Sequence, residues 1–246
     1  MRNLIILKNV TKVFYLESSR PLVALKDINL EVRTGEFFVV LGPSGSGKST
    51  LLRTMSGLEK SYEGEIQFRE DFSRSDQSFV FQQFALLPWL TVLENVEFGL
   101  ITRNLDEAER ISIVQKELKE FGLEKFSHLY PKELSGGMRQ RVGVARALAT
   151  NPKVIFMDEP FSELDSFTAA ELREELLEIW QERKMTILFV THFIPEALEL
   201  ADRIAVLTPR PGKIEKIVEN HLPRPRQKRS QEFYRLEDEL YQLVRP

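Results

Sequence analysis

The sequence predicts an α/β fold with a mixed, mainly parallel sheet and an inserted α-helical subdomain. Three observations carry that expectation. Short apolar runs recur at Leu4–Leu7, Phe37–Leu41, Val154–Met157, Thr186–Val190 and Arg203–Leu207. A glycine-rich loop follows the second of them and opens into a helix near Lys48. Between Phe84 and Ala149 the apolar pattern changes from strand-like to helical.

In chain order, Phe37-Phe38-Val39-Val40-Leu41 is apolar at every position, as a parallel strand covered on both faces requires. Thr91-Val92-Leu93-Glu94 spells a capping box, a hydroxyl and a carboxylate serving the first free amides of a helix. Asp106 to Phe121 reads as a charged amphipathic helix ended by Gly122. Leu172, Leu176, Ile179 and Trp180 share one face of a later helix. The expected organisation is a core over 1–83, a helical subdomain over 84–150, a return to the core over 151–222, and a C-terminal segment over 223–246. That last segment has a basic cluster, Arg224, Arg226, Lys228 and Arg229, then Phe233, Leu236, Leu240 and Leu243 at helical spacing. It reads as a helix packed on the core or on a second subunit, or, more sharply, as a contact to lipid headgroups.

Composition excludes several classes. With 34 basic and 37 acidic residues and a net charge of −3, no basic field favours nucleic acid. The absence of cysteine removes disulfides and thiolate metal sites and fits a reducing cytosol. No apolar run approaches the roughly 20 residues that a membrane span needs, and Leu4–Leu7 is too short for a signal peptide. The chain is expected to be soluble, a character compatible with docking on a membrane protein.

The chemistry sits in two stretches. Gly42-Pro43-Ser44-Gly45-Ser46-Gly47-Lys48-Ser49-Thr50 is a phosphate-binding loop. Its glycines let successive N–H groups point inward, Lys48 supplies charge for the β and γ phosphates, and Ser49 offers a hydroxyl to Mg²⁺. Leu134-Ser135-Gly136-Gly137-Met138 opens a helix, a second seat for a polyphosphate. Asp158 and Glu159 end an apolar strand where α/β ligands bind. Asp158 suits Mg²⁺ through its water shell, and Glu159 suits deprotonation of an attacking water. A dinucleotide loop would require G-x-G-x-x-G, which is not spelled here.

Taken together these residues resemble the ATP-binding subunit of an ABC transporter, with a phosphate-loop NTPase core. Leu134-Ser135-Gly136-Gly137-Met138 is similar to the family signature motif, Gln82 to the Q-loop glutamine, Ser162-Glu163-Leu164-Asp165 to the D-loop, and His192 to the switch histidine. Phe14, or its neighbour Tyr15, falls where the family stacks an aromatic ring on adenine. The resemblance implies ATP and Mg²⁺ as cofactors, with Ser49, Gln82 and Asp158 toward the metal and Glu159, His192 and Lys48 in catalysis. It also implies a homodimer in which Ser135, Gly136 and Gly137 cap the γ-phosphate of ATP held by the opposite subunit, with Asp165 near the partner's phosphate loop. Three positions depart from the family pattern: Gln83, Glu163 and Phe193. None removes a metal ligand or phosphate donor.

Leu86 to Val96 and Pro209-Arg210-Pro211-Gly212-Lys213-Ile214 are similar to the nitrate/sulfonate/taurine group of importers. That implies integral-membrane permease subunits and, indirectly, an external solute-binding protein. Phe84, Leu86, Leu87, Pro88 and Trp89 form an apolar stretch that is either subdomain core or a seat for a permease helix, with Trp89 as anchor. An exporter ATPase would share every catalytic residue. A non-transport ATPase acting on DNA or the ribosome fits the acidic charge less well. A phosphate-loop kinase leaves Ser135-Gly136-Gly137 and His192 without a role.

Overall fold

The structure, a computed structural model, describes residues 2–15 and 20–245. The chain begins with strands β1 (Asn3–Phe14), β2 (Leu22–Arg33) and β3 (Phe37–Leu41), then helix α1 (Lys48–Met55) and strand β4 (Glu63–Phe68). Strand β5 (Gln77–Val80) precedes helices α2 (Val92–Phe98), α3 (Glu107–Glu120) and α4 (Gly136–Ala149). Strand β6 (Val154–Asp158) and helix α5 (Ser166–Arg183) follow. The chain closes with β7 (Thr186–Thr191), α6 (Ile194–Leu200), β8 (Arg203–Leu207), β9 (Ile214–Glu219) and α7 (Gln231–Val244).

These elements form two compact units, one of residues 1–72 with 184–246, the other of residues 73–183. In the first, β7, β3 and β8 run parallel side by side, and β9 joins the edge antiparallel. Every residue of β3 is fully buried, as its uninterrupted apolar sequence requires. Helix α1 packs on β7, and α6 packs on β3 and β7. A separate antiparallel sheet of order β2-β1-β4 completes the unit. In the second unit β5 and β6 pair in parallel, α4 packs on β5 and α5, and α2, α3 and α4 pack on one another.

Helix starts follow the local chemistry. Thr91 accepts the Glu94 amide at 3.3 Å while the Glu94 carboxylate accepts the Thr91 amide at 2.7 Å, completing the expected capping box. Asp106 and Glu109 do the same for α3. At the C-terminus α7 forms and buries Phe233 and Leu240. Three of the four residues of the basic cluster before it are engaged by the chain itself, and Arg229 is exposed. Arg226 is buried and binds the carbonyls of Leu198, Glu199 and Ala201, Arg224 binds Asp202 and the Leu200 carbonyl, and Lys228 pairs with Glu199 at 3.0 Å. Burial pushes the Arg226 pKa down to about 9, so the guanidinium stays charged at neutral pH.

Candidate functional site

Strand register positions the chemistry of the first unit. Leu41 of β3 lies opposite Thr191 of β7 and Val206 of β8. The phosphate loop, which starts at Gly42, and His192, which follows Thr191, therefore leave the same carboxyl edge of the sheet. Ligands of open α/β sheets bind at that edge.

The loop is shaped by backbone that a side chain would obstruct. Gly45 and Gly47 have φ of 76° and 99°, in the left-handed region. A Cβ on Gly42 would meet the Leu207 carbonyl at 2.9 Å and the Ser46 hydroxyl at 3.0 Å. Lys48 is buried and its ammonium donates to the Pro43 carbonyl at 3.1 Å, across the mouth of the loop. The start of α1 has no side-chain cap. The buried Ser46 hydroxyl has no hydrogen-bond partner among the described residues. Uncapped amides, a buried cation and an unsatisfied hydroxyl within one loop match the needs of a polyphosphate. Ser49 and Thr50 sit half-buried on the first turn of α1.

Arg210 was not among the expected site residues, yet its Nε donates to the Gly45 carbonyl at 3.2 Å. Pro43, Ser44, Gly45, Pro209 and Arg210 line a cleft of about 510 Å³. Gly212 fixes that contact, because a Cβ there would lie 2.2 Å from the Ser46 carbonyl. The sequence offered the signal in Pro209-Arg210-Pro211-Gly212. It does not say that the stretch folds back onto the phosphate loop.

Of the two adenine candidates, Phe14 is half-buried at the end of β1 with the Lys12 ammonium 4.8 Å from its ring centre. Tyr15 is 79% exposed. The His192 and Phe193 rings lie 4.0 Å apart, and the Phe193 amide donates to the Thr191 hydroxyl at 3.0 Å.

The second unit assembles the remaining residues in two groups. Val80 of β5 faces Met157 of β6, so Gln82 and the pair Asp158-Glu159 leave one edge together. Asp158 is buried, whereas Glu159 is half-exposed and adopts φ of 44°. The Ser162 hydroxyl donates to the Glu159 carbonyl at 2.9 Å and accepts from the Gln82 amide at 3.4 Å. The Q-loop is thereby tied to the turn after the acidic pair.

The other group joins the start of α4 to the D-loop. The Ser135 hydroxyl accepts the Met138 amide at 3.3 Å. A Cβ on Gly136 would meet Leu164 at 3.3 Å, and one on Gly137 would meet the Thr168 methyl at 2.6 Å. Asp165 accepts the amides of Phe167 and Thr168, both at 3.1 Å, and caps α5. Those amide bonds, Thr168 first, hold the Asp165 carboxyl below its ordinary range.

The apolar stretch after Gln82 divides. Phe84 is buried and Trp89 is 69% exposed. Asn95, fully buried, donates to the carbonyls of Leu87, Leu90 and Thr91 and accepts the Leu87 amide. That saturates its amide and fixes the turn that displays Trp89. Nothing in the sequence marked Asn95 for this task.

The ABC transporter family profile matches residues 25–162, more than half of the chain. The chain belongs to the ABC transporter family. It is 46% identical to an ABC transporter ATP-binding protein of Methanocaldococcus jannaschii over 241 residues, 97% of this chain and 90% of that one. It is 43% identical to an aliphatic sulfonates import ATP-binding protein of Bacillus cereus over 233 residues, 93% of this chain and 91% of that one. A nitrate import ATP-binding protein of Synechocystis is 44% identical over 235 residues, 91% of this chain and 88% of that one. Among solved structures, a dimeric ATP-binding cassette in a post-hydrolysis state with ADP and Pi aligns with a TM-score of 0.77 at 39% identity, covering 88% of this chain and 99% of that one. The fold is that of ABC ATPase cassettes, and the chain is the ATP-binding, ATP-hydrolysing subunit of a transporter. Among the described residues no helix is long and apolar enough to cross a membrane.

Proposed function

We propose that this ABC subunit drives import. Two copies close around two ATP molecules and hydrolyse them to move a small solute through a separate permease. The observation that carries the proposal is likeness to sulfonate and nitrate import ATP-binding proteins over about nine-tenths of both chains. The solute is nitrate-, sulfonate- or taurine-like, or another small organic compound.

In this reading Lys48 and the loop amides hold the β and γ phosphates, and Phe14 stacks on the adenine. Ser49, Gln82 and Asp158 hold Mg²⁺, which offsets phosphate charge when bound. Glu159 takes the proton of the attacking water, and His192 holds water and γ-phosphate in register. Ser135, Gly136 and Gly137 of one copy cap the γ-phosphate bound by the other, and Asp165 lies beside the other copy's phosphate loop. Hydrolysis removes the bridging phosphate, so the equilibrium shifts toward the open dimer and the permease follows it. Trp89, exposed on a turn fixed by Asn95, is the anchor for a short cytoplasmic permease helix. The subunit then sits on the cytoplasmic face of the membrane, held there by that permease.

The test is purification of the tagged subunit from detergent-solubilised membranes of its own host, followed by transport assays in vesicles. Recovery of a permease, with sulfonate or nitrate uptake that needs ATP and an external solute-binding protein, is the expected result. ATP-driven efflux through the recovered permease, or recovery only with ribosomes or DNA, overturns it. Ser135→Arg separately tests the shared site: it should abolish ATP-dependent dimerisation measured by light scattering.

A further inference from the structure

Helix α6 is seven residues long and is pinned at both ends within the first unit. At its start, the buried Glu196 carboxylate accepts the Thr191 hydroxyl at 2.7 Å, and that hydroxyl accepts the Phe193 amide. Glu196 thus holds the residues on both sides of His192. At its end, the last carbonyls of a helix have no partner within the helix and need donors from elsewhere. Arg226 supplies them. Its guanidinium, within a side chain almost wholly buried, donates to Leu198 at 2.8 Å, to Glu199 at 2.9 Å and to the Ala201 carbonyl just past the helix. Asn220 adds a bond to the Leu198 carbonyl at 2.9 Å. The cation also lies at the negative end of the helix, where it is favoured.

A helix this short, rising about 1.5 Å per residue, is a strut about 10 Å long. Movement at its C-terminal end therefore reaches its N-terminal end with little loss. We propose that Arg226 is a positioning residue for ATP hydrolysis: it clamps the end of α6 so that the Glu196–Thr191 bond holds His192 in its working place. The C-terminal segment is by this account a brace on the switch histidine, which rests on the role given to His192 above. Arg226 touches no substrate and acts through α6.

The test compares ATPase kinetics of the full-length protein with Arg226→Met, Arg226→Lys, Asn220→Ala, His192→Ala, and each of these clamp variants combined with His192→Ala. Expected for Arg226→Met is a kcat at least tenfold lower, with KM for ATP within twofold of the parent. Arg226→Lys, which keeps the charge and one donor group, should recover part of that loss. Within the His192→Ala background, Arg226→Met should lower kcat less than twofold further, since the residue it acts through is gone. Should Arg226→Met fail to fold, Asn220→Ala carries the same reading, with a smaller fall in kcat that His192→Ala masks. Parental kcat in folded Arg226→Met, or losses that multiply in the double variant, overturn the proposal. A parental kcat in His192→Ala alone instead removes the histidine role on which it rests.

Discussion

Gly137 and Thr168 sit in such close contact that a single added carbon on the glycine would lie 2.6 Å from the threonine methyl. Thr168 is held by Asp165, which accepts its amide at 3.1 Å and also its hydroxyl, so the methyl has little freedom to turn away. The start of the signature helix and the start of α5 are thereby fitted to each other. Gly137→Ala should lower ATPase kcat at least tenfold, and adding Thr168→Ser, which deletes only the methyl, should restore most of it. Steady-state assays of the single and double variants check this; no rescue would show that the clash is not the cause.

Glu159→Gln keeps the size of a residue held at φ 44° and removes its basicity. Turnover should fall by about 10²–10⁴-fold, the usual contribution of a positioned general base. ATP affinity should be retained, and an ATP-bound dimer should accumulate in light-scattering runs. Turnover close to the parent would assign the base elsewhere.

Trp89→Ala should leave ATPase activity and stability almost untouched, since exposed substitutions usually shift stability by less than about 0.5 kcal/mol. Membrane recovery should drop sharply. Asn95→Leu should give the same loss of recovery by a different route: it takes the donor from the Leu90 carbonyl and the acceptor from the Leu87 amide, at a cost of about 1–3 kcal/mol each where they remain buried. Fractionation and thermal melts separate the two effects.

Glu36 supplies a pH test. Burial is the largest influence on it and raises its pKa above the ordinary 4.5, against the Arg33 amide and the Arg203 guanidinium at 3.3 Å, which lower it. A carboxyl that is more readily protonated when folded lends stability below its unfolded pKa and loses it as pH rises through the folded value. The stability of the parent relative to Glu36→Gln should therefore decline from about pH 4.5 upward and level off above the folded pKa. Denaturant titrations of both proteins across that range measure the difference, and a flat difference would refute the assignment.

How far the sequence could be read depended on how local each signal was. Phe37–Leu41 and Arg203–Leu207 matched the observed strands because total burial leaves an unbroken apolar run. The Thr91 and Asp106 helix starts were legible because capping is local. Strand β1 was seen only in part. Its pairing with β2 shifts register repeatedly and Asn9 sits at φ 50°, which breaks the alternation a reader looks for. Strand β4 is mostly exposed or half-buried and offered no apolar pattern. Arg224 and Arg226 looked like surface charge because their carbonyl partners lie more than twenty residues away. Arg210 was hidden for the same reason, its partner Gly45 being 165 residues distant.

The turn after Gln82 carries two consecutive non-glycine residues in the left-handed region, Phe84 at φ 51° and Ala85 at φ 47°. Arg146 of α4 grips both of their carbonyls, at 3.1 and 2.8 Å. Such a backbone is costly to adopt and is kept only where its surroundings dictate it. Mechanically, it is a stiff crank and not a slack tether. Between Gln82 and the turn that displays Trp89 there is little give, so a displacement at one end arrives at the other as force, not as slack taken up.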